Sequence, residues 1–195
     1  MTAVGASVYF SQDVATAAAQ RGNGQFTFAL IGDIPYGTEG EEKFPALLAD
    51  INADRTLAFV AHDGDIKNGS SVCSDEVFEN RLDLFNQFAA PVVYVPGDNE
   101  WTDCHRVNNG EYDPLERLAK LRALFFPTDQ SLGRRTMTLE RQSEDPAFAL
   151  YRENVRWVMH GVLFVGLHIV GSNNNLGRTP AGDAEYAARN AANLG

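Results

Sequence analysis

Cysteine is nearly missing from this 195-residue chain: Cys73 and Cys104 are the only two, and two alone establish no disulfide framework. Histidine is sparse as well, at four. Positive charge is in deficit, with 16 Lys and Arg against 26 Asp and Glu and a net charge of −10. That balance argues against a broad nucleic-acid or anionic-membrane surface, since both need clustered basic groups. It is compatible with an acidic surface that aids solubility, or with acid near a cleft that attracts cations. No apolar run approaches the 18 residues of a membrane-spanning helix; the longest, 161–171, has His168 inside it. Neither G-x-x-x-x-G-K-[S/T] nor G-x-G-x-x-G occurs, which leaves an unrelated doubly wound nucleotide domain without support. Repeats, low-complexity tracts and Pro/Ser-rich linkers are missing too.

What is there is one domain's worth of α/β pattern. The first 24 residues hold an Ala-rich patch like the end of a secretory leader, without a basic start or a continuous apolar core. We therefore expect an N-terminal segment over 1–24, a domain over 25–195, and an extracytoplasmic location. Residues 25–31 (QFTFALI), 56–61 (TLAFVA) and 92–95 (VVYV) read as buried parallel strands, each running into a polar loop. Amphipathic helices are expected at 44–52 and 75–88, the second with Ser74 as N-cap. Asp113, Pro114 and Glu116 announce a third helix, striped by Leu115, Leu118, Leu121 and Leu124 and ended by Pro127. Strands are then expected at 136–141, 148–151, 155–160 and 162–170, the last two as a hairpin, followed by a short Ala-rich helix at 182–194.

Each of the first three strands leads into a Gly-Asp pair: Gly32-Asp33, Gly64-Asp65 and Gly97-Asp98, the last continuing as Asn99-Glu100. In open α/β sheets ligands bind beyond the carboxyl ends of the strands, so Asp33, Asp65 and Asp98 can converge on one point. A single Asp in such a place caps a helix or turn as readily as it binds anything. Three repelling carboxylates want a cation. Oxygen ligands suit Mg, Mn, Ca or Fe, and added imidazole suits Zn, while the glycines allow the sharp turns that aim each acid. The expected cofactor is a pair of divalent ions, Mn, Fe, Zn or Mg, that clamps phosphate oxygens and activates water for in-line attack on phosphorus.

These residues resemble the calcineurin-like metallophosphoesterases, whose pattern runs D-x-H, G-D-x-x-x-x-G, G-N-H-[D/E], a lone His and G-H-x-H. The resemblance covers most of residues 25–170 and implies an αββα sandwich, with Asp33 as the first metal-binding Asp and Asp65 as the metal-bridging one. Residues 97–100 match the third motif as GDNE. The stretches HDGDIKNGSSVCSD and PGDNEWTDCHR, with YDPLERLAKLR after them, are similar to a bacterial and fungal branch often found in exported proteins. Departures are clear. Pro35 stands where the first motif has its His, Asp98 replaces the Asn ligand, Asn99 replaces the phosphate-contacting His, and Gly69 closes the second motif one residue early. Asn99 can hydrogen-bond a phosphate oxygen but cannot act as a general acid. No G-H-x-H occurs, and the resemblance implies that the lone His and that motif lie beyond Gly195, so a truncated domain is expected.

Among the histidines, His105 is the best candidate for the site, and Tyr36 is the other residue placed to compensate for the substitutions. His62 sits at a strand end, His160 flanks the hairpin, and His168 can face the site or the core. Asn99 and His105 are the catalytic candidates; Asn99, Lys67 and Arg106 are the candidate substrate contacts. Cys73 and Cys104 follow neighbouring motif loops, where they can meet as a disulfide or remain as free thiols. Asn173, Asn174 and Asn175 fit substrate contact or plain turn chemistry equally, and Trp101 fits a loop anchor. The expected function is metal-dependent hydrolysis of a small phosphomonoester or phosphodiester. Its rival is a phosphoesterase-fold module that binds metal or phosphate without turnover.

Overall fold

The computed structural model describes residues 25–195; the expected leader segment lies outside them. Strands β1 (Thr27–Ile31), β2 (Leu57–His62) and β3 (Val92–Tyr94) form a parallel sheet in that order. Helix α1 (Gly37–Ala53) crosses from β1 to β2, and α2 (Asp75–Phe85) from β2 to β3. Helix α3 (Pro114–Phe125) follows β3. The caps are those the residue types dictate: Ser74 accepts from the Val77 amide, and Asp113 accepts from the amides of Leu115 and Glu116. Helix α1 starts well before the expected position 44 and carries Pro45 inside it, where the ring's missing amide removes one helical bond.

A second sheet, β4 (Glu140–Arg141), β5 (Val155–Met159) and β6 (Val162–Gly166), is antiparallel, with β5 and β6 as the expected hairpin turning at His160 and Gly161, both at positive φ. Three strand expectations need correction. Residues 136–141 are regular strand only at Glu140–Arg141; before that the chain pairs irregularly, through the Gln130–Thr138 bridge and the Ser131 amide on the Met137 carbonyl. Residues 148–151 form no strand, because Asp145 accepts from the Ala147 amide ahead of Pro146 and winds a 3-10 turn over Pro146–Phe148. Strand β6 stops at Gly166, since Asn154 Oδ1 takes the His168 amide at 2.9 Å and the Ile169 amide turns back to Leu167. Helix α4 (Pro180–Leu194) closes the described chain, capped by Thr179 on the Gly182 amide.

Alternation along the central strand sets the layers. Val60 and His62 face the helices, where Phe44 of α1, Phe78 and Phe85 of α2, and Leu118, Leu121 and Phe125 of α3 bury against Val92 and Tyr94. Phe59 faces the other way and meets Trp157 of β5 and Phe164 of β6, at 5.3 and 5.1 Å between ring centroids. Phe59 and Val60 are both fully buried, as in a strand covered on both faces. The α4 helix is tied to the second-sheet side by polar contacts: Gln142 Nε2 donates to the Ala192 carbonyl and Asn154 Nδ2 to Asn193 Oδ1. The α-β-β-α order expected from the sequence is thus met, and all three Gly-Asp loops emerge at the carboxyl end of the parallel sheet. No helix among the described residues is long and apolar enough to cross a membrane.

Candidate active site

Strand ends alone do not aim the acids; the backbone of each loop does. Asp33 and Asp65 both have φ 57°, a left-handed conformation that Asp tolerates better than most residues, and Gly64, just before Asp65, has φ 104°. The Asp33 amide donates to the Gly64 carbonyl at 3.1 Å, fastening the first loop to the second. His62 clasps the same junction. Burial pushes its imidazole down to about 4, so it is neutral, with Nε2 3.3 Å from the Ile34 carbonyl and Nδ1 accepting from the Gly64 amide at 3.2 Å. It is a structural histidine.

The third loop is pinned from below. Glu100 is fully buried and one of its oxygens, Oε1, accepts from Tyr94 Oη and the Gly97 amide at 2.7 Å and from the Asp65 amide at 3.1 Å. Burial and the nearby Asp65 charge raise its carboxyl to about 7. Lys67 is only 1% exposed, and its ammonium donates to the carbonyls of Asn68 and Asn99 at 2.9 and 2.7 Å. Its position therefore orders the second and third loops instead of presenting a charge to solvent. Burial pushes it down to about 8. Cys73 and Cys104 meet as a disulfide with Cα atoms 5.7 Å apart, joining the same two loops, and Trp101 is fully buried as their anchor.

Asp33, Asp65 and Asp98 follow the ends of three adjacent strands, and the charges of Asp98 and Asp33 reach Asp65. Asp65 is half-buried, and its carboxyl rises to about 6, first through burial and then through the charges of Asp98 and Asp33. Asn99 and Tyr36 join this group: the Asn99 amide donates to Asp65 Oδ1 at 3.1 Å, Asn99 Nδ2 donates to Tyr36 Oη at 2.9 Å, and Tyr36 Oη donates to Asp33 Oδ1 at 3.0 Å. Burial and the charge of Asp65 push the Tyr36 phenol well up, so it stays a donor. His105 lies apart, with Nδ1 2.8 Å from the Thr102 carbonyl and 2.6 Å from Arg178 Nη1. Arg106 is exposed, paired with Asp103 at 2.7 Å, and shares the border of Gly69 with Asn99. His168 is buried in the core, its Nδ1 2.9 Å from Glu153, and His160 stacks on Phe26.

Among the described residues no group of three or more His, Cys, Asp or Glu side chains is drawn into a single coordination shell. The donor chemistry nevertheless fits a hard divalent ion. Asp33, Asp65 and Asp98 have no ion-pair partner among the described residues, and two of them raise the third's pKa by repulsion that a cation would relieve.

Sequence reasoning did not single out Glu100, Asp103 or Arg178. Glu100 stood in the quoted GDNE stretch but carried no signal of burial; Arg178, in a Gly-Arg-Thr-Pro turn, carried none at all.

A family model for calcineurin-like phosphoesterases matches residues 26–179, from the start of the first strand to the cap of α4. The chain belongs to the calcineurin-like phosphoesterase family. That family is one of phosphoester hydrolases that use divalent metals. Comparisons with curated proteins and with solved structures found no match.

Proposed function

We propose that the chain hydrolyses small phosphomonoesters or phosphodiesters with the help of divalent metal ions, two of them drawn from Mn, Fe, Zn or Mg. The observation that carries this reading is the placement of Asp33, Asp65 and Asp98 in the loops that leave the carboxyl ends of three adjacent parallel strands, with Asp98 and Asp33 near enough for their charges to act on Asp65. Asp33, Asp65 and Asp98 would hold the ions, which supply charge neutralisation and activation of water when bound. The protein's own part is positioning. Asn99 offers its side-chain amide beside Asp65, Tyr36 keeps that amide oriented, and Lys67 and Glu100 fix the loop that carries it. Arg106, on the exposed side of Gly69, is the basic group best placed to meet substrate. The disulfide between the two rim loops supports an extracytoplasmic home for the protein, where such bonds persist.

A second reading, a binding module without turnover, draws on Asn99, which stands where the resemblance puts a phosphate-contacting His. Turnover of 4-nitrophenyl phosphate and bis(4-nitrophenyl) phosphate with each metal decides between them. We expect metal-dependent hydrolysis that falls at least about a hundredfold in Asp65→Ala. Equal rates in the variant would end the enzyme reading, and metal uptake seen by calorimetry without turnover would favour the module.

A further inference from the structure

Arg106, Arg178 and His105 lie close together around the Thr102–Asp103 turn that follows Asp98. Asp103 is buried; it pairs with Arg106 at 2.7 Å and accepts from Ser172 Oγ at 2.6 Å. Arg178 Nη1 donates to the Thr102 carbonyl and lies 2.6 Å from His105 Nδ1, while Nη2 donates to Asn175 Oδ1. Arg178 makes no ion pair among the described residues, and its contacts there leave Nε unused. Burial, and then the charge of Arg106, work against the proton on its guanidinium, with Asp103 pulling the other way, so the two arginines are within each other's field. One carboxylate, Asp103, thus pairs directly with Arg106 and acts on Arg178 only through its field, leaving two guanidiniums to one buried acid in a protein of net charge −10.

This cluster adjoins the proposed catalytic centre. Thr102 Oγ1 and the Asp103 amide donate to the Asp98 carbonyl at 3.0 and 3.1 Å. Arg106 Nη1 and Asn99 Oδ1 both border Gly69, at 3.5 and 3.0 Å from where a Cβ on it would stand. Gly171, just before Ser172, comes so close that its own Cβ would stand 2.6 Å from Asp98 Oδ2. The turn that follows is strained: Ser172, Asn173, Asn174 and Asn175 have φ of 48, 55, 53 and 71°, a run of left-handed residues that no glycine relieves. It is held by Arg189, whose Nη1 donates to Asn174 Oδ1 at 2.7 Å, and by Glu185, which accepts from Asn175 Nδ2 at 2.9 Å. The outcome of that strain is to set Ser172 on Asp103 and Asn175 on Arg178.

We propose that Arg178, with Arg106 and His105, forms an anion subsite for a second anionic group of the substrate. The preferred substrates are then phosphoesters that carry a further phosphate or carboxylate, either of which a guanidinium fork can grip with two hydrogen bonds. The proposal rests on the hydrolase reading above, and the experiment separates the two. KM is measured for glycerol 1-phosphate, 3-phosphoglycerate and fructose 1,6-bisphosphate in wild type, Arg178→Gln and Arg106→Gln. The expected result is a lower KM for one or both of the substrates with a second anionic group, and a KM ratio to glycerol 1-phosphate that rises about tenfold in each variant. The substrate whose ratio moves tells carboxylate from phosphate. Ratios that stay where they were in both variants overturn the proposal. If wild type hydrolyses none of the three, binding of inorganic pyrophosphate is followed at the His105 imidazole by NMR. Weakening of about tenfold in Arg178→Gln then keeps the subsite, while the 4-nitrophenyl assays decide the hydrolase reading separately, and unchanged binding removes the subsite.

Discussion

With three donors on one oxygen, Tyr94 Oη, the Gly97 amide and the Asp65 amide, the Glu100 side chain is a strut between the second and third strand-end loops. Removing it leaves those donors buried without a partner, each worth about 1–3 kcal/mol. Glu100→Ala should therefore cost about 3–5 kcal/mol in urea unfolding. Glu100→Gln keeps the accepting oxygen and should cost much less at about pH 6, where a carboxyl raised to about 7 is largely protonated. A glutamine variant as damaged as the alanine one would show that the strut account is wrong. The three aspartates were legible in the sequence because a glycine followed by an acid at the end of an apolar run has a mechanical meaning. Glu100 and Arg178 were not, because their roles depend on burial and on partners far away in the chain: Asp65 lies 35 residues before the first, and Thr102 lies 76 before the second.

Where elements meet, the loops are joined by close backbone approach as much as by side chains. A Cβ at Gly64 would stand 2.7 Å from the Gly97 Cα and 3.0 Å from the Pro96 carbonyl carbon, in a conformation with φ 104°. Gly64→Ala should accordingly cost at least about 2 kcal/mol and weaken metal uptake, because the second and third loops must separate to admit the methyl group. Its thermal midpoint and a calorimetric metal titration check both effects. The Cys73–Cys104 disulfide, at a sequence separation of 31, ties the same loops. Loop-closure entropy for a ring of that size is worth about 3–4 kcal/mol, so Cys104→Ser, or reduction, should lower the melting temperature by about 10 °C. A shift under about 2 °C would mean that packing around Trp101 and Phe78 already fixes the rim. Parallel strands and capped helices were readable because their residue types and spacing agree. The second sheet was read too generously: β-branched and aromatic residues at 148–151 and 167–170 lost to local captures by Asp145 and Asn154, which leave no periodic mark in the sequence.

At the level of the whole molecule, acid tolerance draws on one fully buried carboxylate, Glu153. Burial pushes Glu153 up, but hydrogen bonds from His168 and Arg122 overcome that and hold it at about 2, against 4.5 in the unfolded chain. Burial keeps His168 itself on the neutral side, so Arg122, bonded through both Nε and Nη2, is the lasting charge partner. Because the folded value is the lower one, this stabilisation is complete above about pH 4.5 and is lost as pH falls toward 2. The loss should amount to about 2–3 kcal/mol. Thermal midpoints across that window should drop in wild type and flatten in Glu153→Gln, which is less stable than wild type at neutral pH.

The two tryptophans divide this architecture between them. Trp101 is buried under the third loop with its ring centroid 5.2 Å from that of His168, and Trp157 stacks on Phe164 between the sheets at the same distance. Each is thus a separate natural lamp, one lighting the rim of the aspartate centre and the other the seam between the layers. With Trp157 replaced by Phe, the remaining emission reports on the rim alone, so loosening of the site can be watched by its colour and quenching before the sheets part.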